Sequence, residues 1–230
     1  MLREDAHRFG QPAIESQFVL AAGRAALTPF RCFVLFHLVL LQPLLLLLDI
    51  LLRSTSSIGT EASWWTPMAF HVVVMPVVLG ASLAVATWAP TWWICRADKA
   101  VAAYSLAVQA LTLLHLAATS VAGGQQQLHE LLLVCALPFV CAIAFHLPWR
   151  RSCAVGGVVL GLQLIVTPLL GHDGWDAWLS RTGSLLISNL LLFFAALYAE
   201  AARRTHFRQN LGLQRYASDS TQINHSMASI

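Results

Sequence analysis

Four histidines lie inside long apolar stretches of the sequence. They are His37 in "FVLFHLVLLQP", His71 in "MAFHVVVMP", His115 in "LTLLHLAAT" and His146 in "IAFHLPW". An ionisable side chain at membrane depth is costly, so it is treated as a functional residue by default. The imidazole ring can also bind a transition metal through a ring nitrogen that lipid cannot satisfy. These four histidines are therefore the candidate site residues.

The same four histidines fall at two depths. At 1.5 Å per residue, His37 and His146 lie roughly 6 to 9 Å inside one membrane face, counted from the flanking arginines. His71 and His115 lie roughly 10 to 12 Å inside the opposite face. Each pair comes from two different predicted helices, which is the arrangement that low-spin, six-coordinate haem iron requires. The sequence therefore predicts haem b as the cofactor, with one haem for each pair.

A second interpretation of these histidines needs no cofactor. Polar side chains in membrane bundles commonly bond to a neighbouring helix. Gln42, Gln109, Ser82 and Thr112 lie in the same apolar stretches and could be the partners. Both interpretations stay open at this point.

The composition is that of a membrane protein. Of the 230 residues, 57% are hydrophobic and 11% are charged, and the mean hydropathy is +0.66. Runs of roughly 20 apolar residues can cross the hydrocarbon core of a bilayer as helices. Six such runs occur, at about 30–52, 64–90, 100–122, 130–148, 153–171 and 182–201. We therefore predict an all-α membrane protein with six transmembrane helices.

The basic residues indicate the orientation of these helices. Lysine and arginine near helix ends are retained on the cytoplasmic side. Twelve of the 14 basic residues fall before the first run or at its start, after the last run or in alternate loops, and only Arg53 and Arg181 fall on the other side. Both termini should therefore be cytoplasmic in a multi-pass protein of a bacterial inner membrane. The net charge of +3 reflects this bias and gives nucleic-acid binding little support.

The chain divides into a cytoplasmic amphipathic lead (1–29), a six-helix transmembrane domain (30–202) and a cytoplasmic signalling helix (203–230). After the last span, apolar or small residues recur at spacings of 3, 4, 3, 4 and 3, which is a short heptad pattern. They are Leu213, Tyr216, Ser220, Ile223, Met227 and Ile230. The pattern predicts a short parallel coiled coil and hence a parallel homodimer.

Other candidate sites in the sequence are weaker. His129 with Glu130, and His172 with Asp173 and Asp176, lie in predicted outer loops and could together bind a divalent ion. No nucleophile, zinc-protease or nucleotide-binding motif occurs in a usable context, so no enzyme active site is predicted. A transporter is disfavoured because neither an inverted repeat nor charged residues in mid-membrane are evident.

The overall layout resembles a known type of bacterial sensor. A basic lead, six membrane helices with short loops and an exit helix, "EAARRTHFRQNLGLQRYASDSTQINHSMASI", are similar to the membrane-associated sensor (MASE-type) regions that precede GGDEF domains in diguanylate cyclases. The six-helix anchors of bacterial class III adenylyl cyclases share this layout. The resemblance implies a cytoplasmic cyclase as the output domain, and the chain itself contains no GGDEF domain. No catalytic residue is carried over.

The sequence thus favours a membrane sensor and dimerisation module that regulates a cytoplasmic nucleotide cyclase, with haem sensing redox state or a small ligand. The alternative is a dihaem membrane electron carrier resembling the cytochrome b561 group. In that case the four histidines relay electrons and the exit helix is incidental.

The predicted orientation can be tested with reporter fusions. Because the basic residues alternate between the two sides, fusions after Lys99, Arg151 and Arg215 should report a cytoplasmic location. Fusions near Gly59, Gln125 and Gly174 should report a periplasmic location. A periplasmic signal after Arg215 would contradict a cytoplasmic exit helix.

Overall fold

The computed structural model of the chain describes residues 12–55, 68–119, 128–170 and 175–228. Every regular element in these residues is helical, and none is a strand. We number the α-helices α1 to α8 and the two π-helical turns π1 and π2. In chain order they are α1 (Pro12–Phe36), π1 (His37–Leu41), α2 (Gln42–Thr55), π2 (Phe70–Val74), α3 (Met75–Trp88), α4 (Pro90–Cys95), α5 (Ala97–Thr119), α6 (Leu128–Ile143), α7 (Trp149–Leu170) and α8 (Trp175–Ala228).

The helices place polar side chains inside and apolar side chains outside. The buried polar residues include His37, Gln42, Asp49, His71, Ser105, Gln109, Thr112, His115 and Gln163. Large apolar side chains that are more than half exposed include Val39, Leu40, Leu44, Leu47, Leu186, Ile187, Leu190 and Phe194. An apolar exterior suits a hydrocarbon solvent, and helices satisfy their own backbone groups there. The chain is therefore an all-α membrane protein.

Four helical segments of the described residues are long and apolar enough to cross a membrane. They are Pro12–Leu51, Phe70–Trp88, Ala97–Leu116 and Trp178–Gln214. Leu131–Ile143 is a shorter apolar helix. The all-α membrane class is thus confirmed, whereas the count of six spans and the cytoplasmic location of both termini stay predictions. The fourth predicted run, 130–148, is helical only as far as Ile143.

Two π-turns lie within the helical segments, and each ends two residues before a proline. In π1 the Gln42 N–H bonds the carbonyl of His37, and in π2 the Met75 N–H bonds the carbonyl of Phe70. Pro43 and Pro76 follow them. Proline has no N–H, and its ring crowds the carbonyl four residues earlier, so a wider turn ahead of it relieves that clash. Residues 12–55 nevertheless remain helical without interruption.

Helix α5 lies at the centre of the bundle. It packs against α6 and α7 and also contacts α1 and α3, while α8 packs along α6 and α7. The Phe30 ring of α1 lies 5.1 Å from Trp93, 5.2 Å from Tyr104 and 5.4 Å from Phe145, measured between ring centroids. Gly23 lets α1 approach the backbone of α4 at Ile94, where a Cβ would collide with the carbonyl. These contacts fix α1 against the rest of the bundle.

Basic side chains gather at one end of the bundle. Arg31 Nε donates to a carbonyl in the last turn of α3 at 3.0 Å, and Arg203 donates to a carbonyl in the last turn of α6 at 3.0 Å. Arg151 pairs with Asp98 at 2.7 Å, and the two residues lie near the starts of α7 and α5. We call this end the basic rim. It is the end that the sequence predicts to be cytoplasmic.

Candidate metal centre in the helix bundle

Buried polar side chains form a continuous chain of contacts through the interior. His37 Nδ1 lies 3.0 Å from the Tyr104 hydroxyl, and His37 Nε2 lies 3.0 Å from Gln42 Nε2. Gln42 Oε1 lies 2.8 Å from His71 Nδ1. His71 Nε2 lies 3.2 Å from Asp49 Oδ2, and the same carboxylate oxygen lies 3.8 Å from His115 Nε2. All six residues are at most 6% exposed.

We call these six residues the polar chain. Its two ends, Tyr104 and His115, lie on the same helix, α5, and are 11 residues apart. At 1.5 Å per residue, the polar chain therefore extends roughly 16 Å along the bundle, which is about half the thickness of a hydrocarbon core.

The π1 turn aligns three members of the polar chain on one helix. In an ideal α-helix, residues five apart point about 140° away from each other. The π1 turn bonds residue i to residue i+5, so His37 and Gln42 face the same way and contact each other directly. Gln42 and Asp49 are seven residues apart, which is about two full turns. Residues 12–55 thereby present His37, Gln42 and Asp49 along one face.

The described orientation of the Gln42 amide determines which nitrogens of the histidines carry protons. The Gln42 amide N–H donates to His37 Nε2, so the proton of neutral His37 lies on Nδ1 and is donated to the Tyr104 hydroxyl. The Gln42 carbonyl oxygen accepts from His71 Nδ1–H. In neutral His71 the Nε2 atom therefore carries the lone pair, and this atom faces the Asp49 carboxylate.

Three groups of the polar chain converge on one point. Asp49, His71 and His115 each offer a ligand atom, and these atoms all lie within 4.8 Å of one another. The Phe70 ring stacks on His115 with a centroid separation of 4.1 Å and an interplanar angle of 3°. Stacking of this kind restricts the rotation of the imidazole and holds it towards Asp49. The cluster could bind a metal ion or haem iron.

The structure brings two of the four predicted histidines together. The rings of His71 and His115 have centroids 5.6 Å apart, as expected for the pair predicted near the outer face. His37 belongs to the polar chain as well, through contacts with Tyr104 and Gln42 at its two ring nitrogens. The role of these histidines as haem ligands stays a prediction.

His146 lies apart from the polar chain, in the connection between α6 and α7. Its backbone is left-handed, with φ of 59°, and the Leu147 N–H bonds the Cys141 carbonyl at 3.1 Å, which ends α6. The ring borders a cavity of about 260 Å³ at the basic rim. Burial, and secondarily the charge of Arg203, lowers the pKa of His146 to about 4. His146 is therefore neutral at pH 7, and its predicted pairing with His37 stays a prediction.

If no cofactor is bound, the buried histidines should form hydrogen bonds with Gln42, Gln109, Ser82 or Thr112. The structure shows such bonds for one of these four residues, Gln42. Gln42 bonds both His37 and His71. The other three bond within their own helices: Gln109 to Ser105, Ser82 to Val78 and Thr112 to Val108. Apart from Asp176, the predicted outer-loop ion site lies outside the part of the chain that the structure describes. His172 and Asp173 fall between the described ranges, and the side chains of His129 and Glu130 are not described.

The sequence analysis assigned no ligand role to Asp49, Gln42 or Tyr104. A signal for two of them exists, because His37, Gln42 and Asp49 are the only polar side chains between Phe33 and Leu52. Their spacing of 5 and 7 does not match one face of an α-helix unless a π-turn is present.

Comparisons with protein-family models, with curated proteins and with solved structures found no match for this chain.

Replacing Gln42 by leucine should destabilise the folded protein. The substitution removes the partner of two buried imidazoles, and an unsatisfied buried polar group costs about 1–3 kcal/mol. Gln163→Leu is the matched control, because Gln163 is also buried and its amide nitrogen has no hydrogen-bond partner among the described residues. Thermal unfolding in detergent should show a clear loss for Gln42→Leu and little change for Gln163→Leu. Equal stability of the two variants would contradict the polar chain.

Proposed function

We propose that this chain is a membrane sensor module in which the intramembrane cluster controls the arrangement of an exit helix. The output is a cytoplasmic nucleotide cyclase, and the resemblance in layout implies a diguanylate cyclase. The module acts as a parallel homodimer in a bacterial inner membrane. The cofactor that the sequence predicts at the site is haem b.

The observation that carries this proposal is the uninterrupted helix over residues 12–55. Its membrane part supplies His37, Gln42 and Asp49 to the polar chain. Near its start, Glu15 accepts two hydrogen bonds from Arg204 of α8, at 2.8 and 2.9 Å. Paired hydrogen bonds between a carboxylate and a guanidinium are among the strongest that side chains make. One helix therefore connects the site with the exit helix.

The contact between α1 and α8 involves more than the Glu15–Arg204 pair. The Arg204 guanidinium lies 4.7 Å above the centroid of the Phe18 ring, and Phe18 packs edge-on against Phe207 at 5.4 Å. Arg204 Nε also donates to Glu200 at 3.0 Å. We call the residues Glu15, Phe18, Glu200, Arg204 and Phe207 the helix clamp. A shift of α1 at the helix clamp must move α8 or break these contacts.

The proposed mechanism uses π1 as the adjustable element. A ligand shifts an equilibrium only if it binds one arrangement better than the other. Occupation of the site favours the arrangement in which His37, Gln42 and Asp49 share a face, which requires the π-turn. Loss of the ligand removes that preference, so π1 can relax and α1 can rotate or slide slightly. Such helix shifts are a common way of transmitting a signal.

Helix α8 has the length needed to carry a change out of the membrane. It continues from Arg204 to Ala228, which is roughly 36 Å of helix. Leu213 and Tyr216, the first two positions of the heptad pattern, are 67% and 76% exposed and so are available to a second copy. Two copies anchored in one bilayer are already concentrated and aligned, so a short seam can set their register.

An electron carrier would need iron at both histidine pairs. The sensor has more support, because both ring nitrogens of His37 already make hydrogen bonds. The continuous helix over residues 12–55 also joins the site to the helix clamp. The exit helix and the helix clamp have no role in an electron carrier.

Cysteine crosslinking tests the proposed dimer. In a variant without the five native cysteines, single cysteines at Tyr216, Ile223 or Met227 should form disulfides between copies efficiently, whereas those at Asp219 or Gln222 should not. Uniform crosslinking along the helix, or none at all in folded protein, would contradict the parallel seam.

The same assay tests the helix clamp. Glu15→Gln removes the charge that pairs with Arg204, so the crosslinking yield at position 216 should change. Asp98→Asn is the matched control, because it breaks an ion pair of the basic rim that does not join α1 to α8. Equal yields in the two variants would argue against coupling through the helix clamp.

A further inference from the structure

We infer that Asp49, His71 and His115 bind a single divalent transition-metal ion of the Zn²⁺ type directly, without a porphyrin. The inference replaces the haem b predicted from the sequence by a bare ion at this cluster, and it rests on the proposed function for its biological consequence. The binding itself depends only on these three side chains and on the residues that orient them.

The distances suit direct coordination. Zinc–ligand bonds of about 2.0–2.2 Å to nitrogen and oxygen place neighbouring ligand atoms of a tetrahedral ion about 3.3 Å apart. Asp49 Oδ2 lies 3.2 Å from His71 Nε2 and 3.8 Å from His115 Nε2. The three ligand atoms all lie within 4.8 Å of one another. Rotations of the His71 and His115 side chains that move their nitrogens by up to about an ångström would bring all three atoms onto one ion.

The proton arrangement of the polar chain also favours a cation. His71 donates its Nδ1 proton to Gln42, so the lone pair on Nε2 faces a carboxylate oxygen. Two acceptors at this distance repel unless a positive charge, either a proton or a metal ion, lies between them. A metal ion supplies that charge, and the Gln42 contact is the outer hydrogen bond that metal-binding histidines usually make. Phe70 performs the corresponding orienting role for His115 through ring stacking.

The same geometry leaves little room for a porphyrin. Bis-histidine haem holds its two imidazole nitrogens about 4 Å apart on opposite faces of the macrocycle. In the structure the Asp49 carboxylate oxygen contacts both imidazole nitrogens, and it thereby occupies the space where the macrocycle would lie. The Phe70 ring covers one face of His115. A bare ion needs no such space.

The ligand types select the class of metal. Two imidazole nitrogens with one carboxylate suit Zn²⁺ and its first-row neighbours, whereas Mg²⁺ and Ca²⁺ prefer sites made of oxygen ligands. Three protein ligands leave one tetrahedral position for water or a small ligand. The ion also offsets the cost of a carboxylate at membrane depth.

Metal binding would also set the direction of every hydrogen bond in the polar chain. With an ion on His71 Nε2, the proton stays on Nδ1, Gln42 keeps its described orientation and His37 donates to Tyr104. Without the ion, reversing the Gln42 amide gives a second complete arrangement, in which His71 Nε2–H donates to Asp49 and Tyr104 donates to His37. The polar chain thus has two states, and the ion stabilises one of them.

Metal analysis of the full chain in detergent tests this inference. After treatment with a chelator and addition of Zn²⁺, the protein should retain one ion per chain, and Co²⁺ should give the visible absorption bands of a tetrahedral site. His71→Ala, His115→Ala and Asp49→Asn should each weaken Zn²⁺ binding by more than the roughly 10–100-fold expected from loss of an outer-shell partner such as Gln42. His146→Ala is the matched control and should bind normally.

The outcomes separate this inference from the proposed function. Folded wild-type protein, judged by circular dichroism and gel filtration, that binds neither Zn²⁺ nor Co²⁺ would overturn the inference. A bis-histidine haem spectrum that is lost in His71→Ala would also overturn it while leaving the sensor in place. Normal metal binding with no parallel seam between the exit helices would support the inference and contradict the sensor.

Discussion

The structure depends on satisfying buried polar groups inside an apolar bundle. Water is not available in hydrocarbon to bond an imidazole, an amide or a carboxylate, so each must find a partner within the protein. Tyr104, His37, Gln42, His71, Asp49 and His115 do so by contacting one another in sequence. The relative positions of π1, α2, π2 and α5 are constrained by this requirement, because a shift of any of these elements leaves a buried group without its partner.

The helix irregularities serve the same requirement. Pro43 and Pro76 disturb the ordinary hydrogen-bond ladder, and the π-turns that precede them turn His37 and His71 towards the interior. π-turns are frequent at functional sites. Here π1 lies between the cluster and the helix clamp on one continuous helix. A change at the site therefore has a physical route to α8.

Much of the fold could be predicted from the sequence, because hydropathy and charge report directly on the solvent around each segment. The membrane class, the apolar helices and the continuation of the last helix beyond Arg204 follow from that signal. The end of α6 at Ile143 could not be predicted, since a left-handed turn at His146 leaves no hydropathy signature. The proximity of His71 to His115 followed from depth alone. The involvement of Asp49 did not, because its position relative to Gln42 and His37 depends on a π-turn that no residue pattern specifies uniquely.

We propose that the intramembrane cluster and the exit helix are coupled. Spin labels at position 216 of the two copies, in a variant without native cysteines, allow the distance between exit helices to be measured by pulsed electron paramagnetic resonance. We expect the distance distribution to change when Zn²⁺ is removed by a chelator and restored by its return, and we expect Asp49→Asn to abolish this response. An identical distribution with and without Zn²⁺, in protein shown to bind the ion, would contradict the coupling.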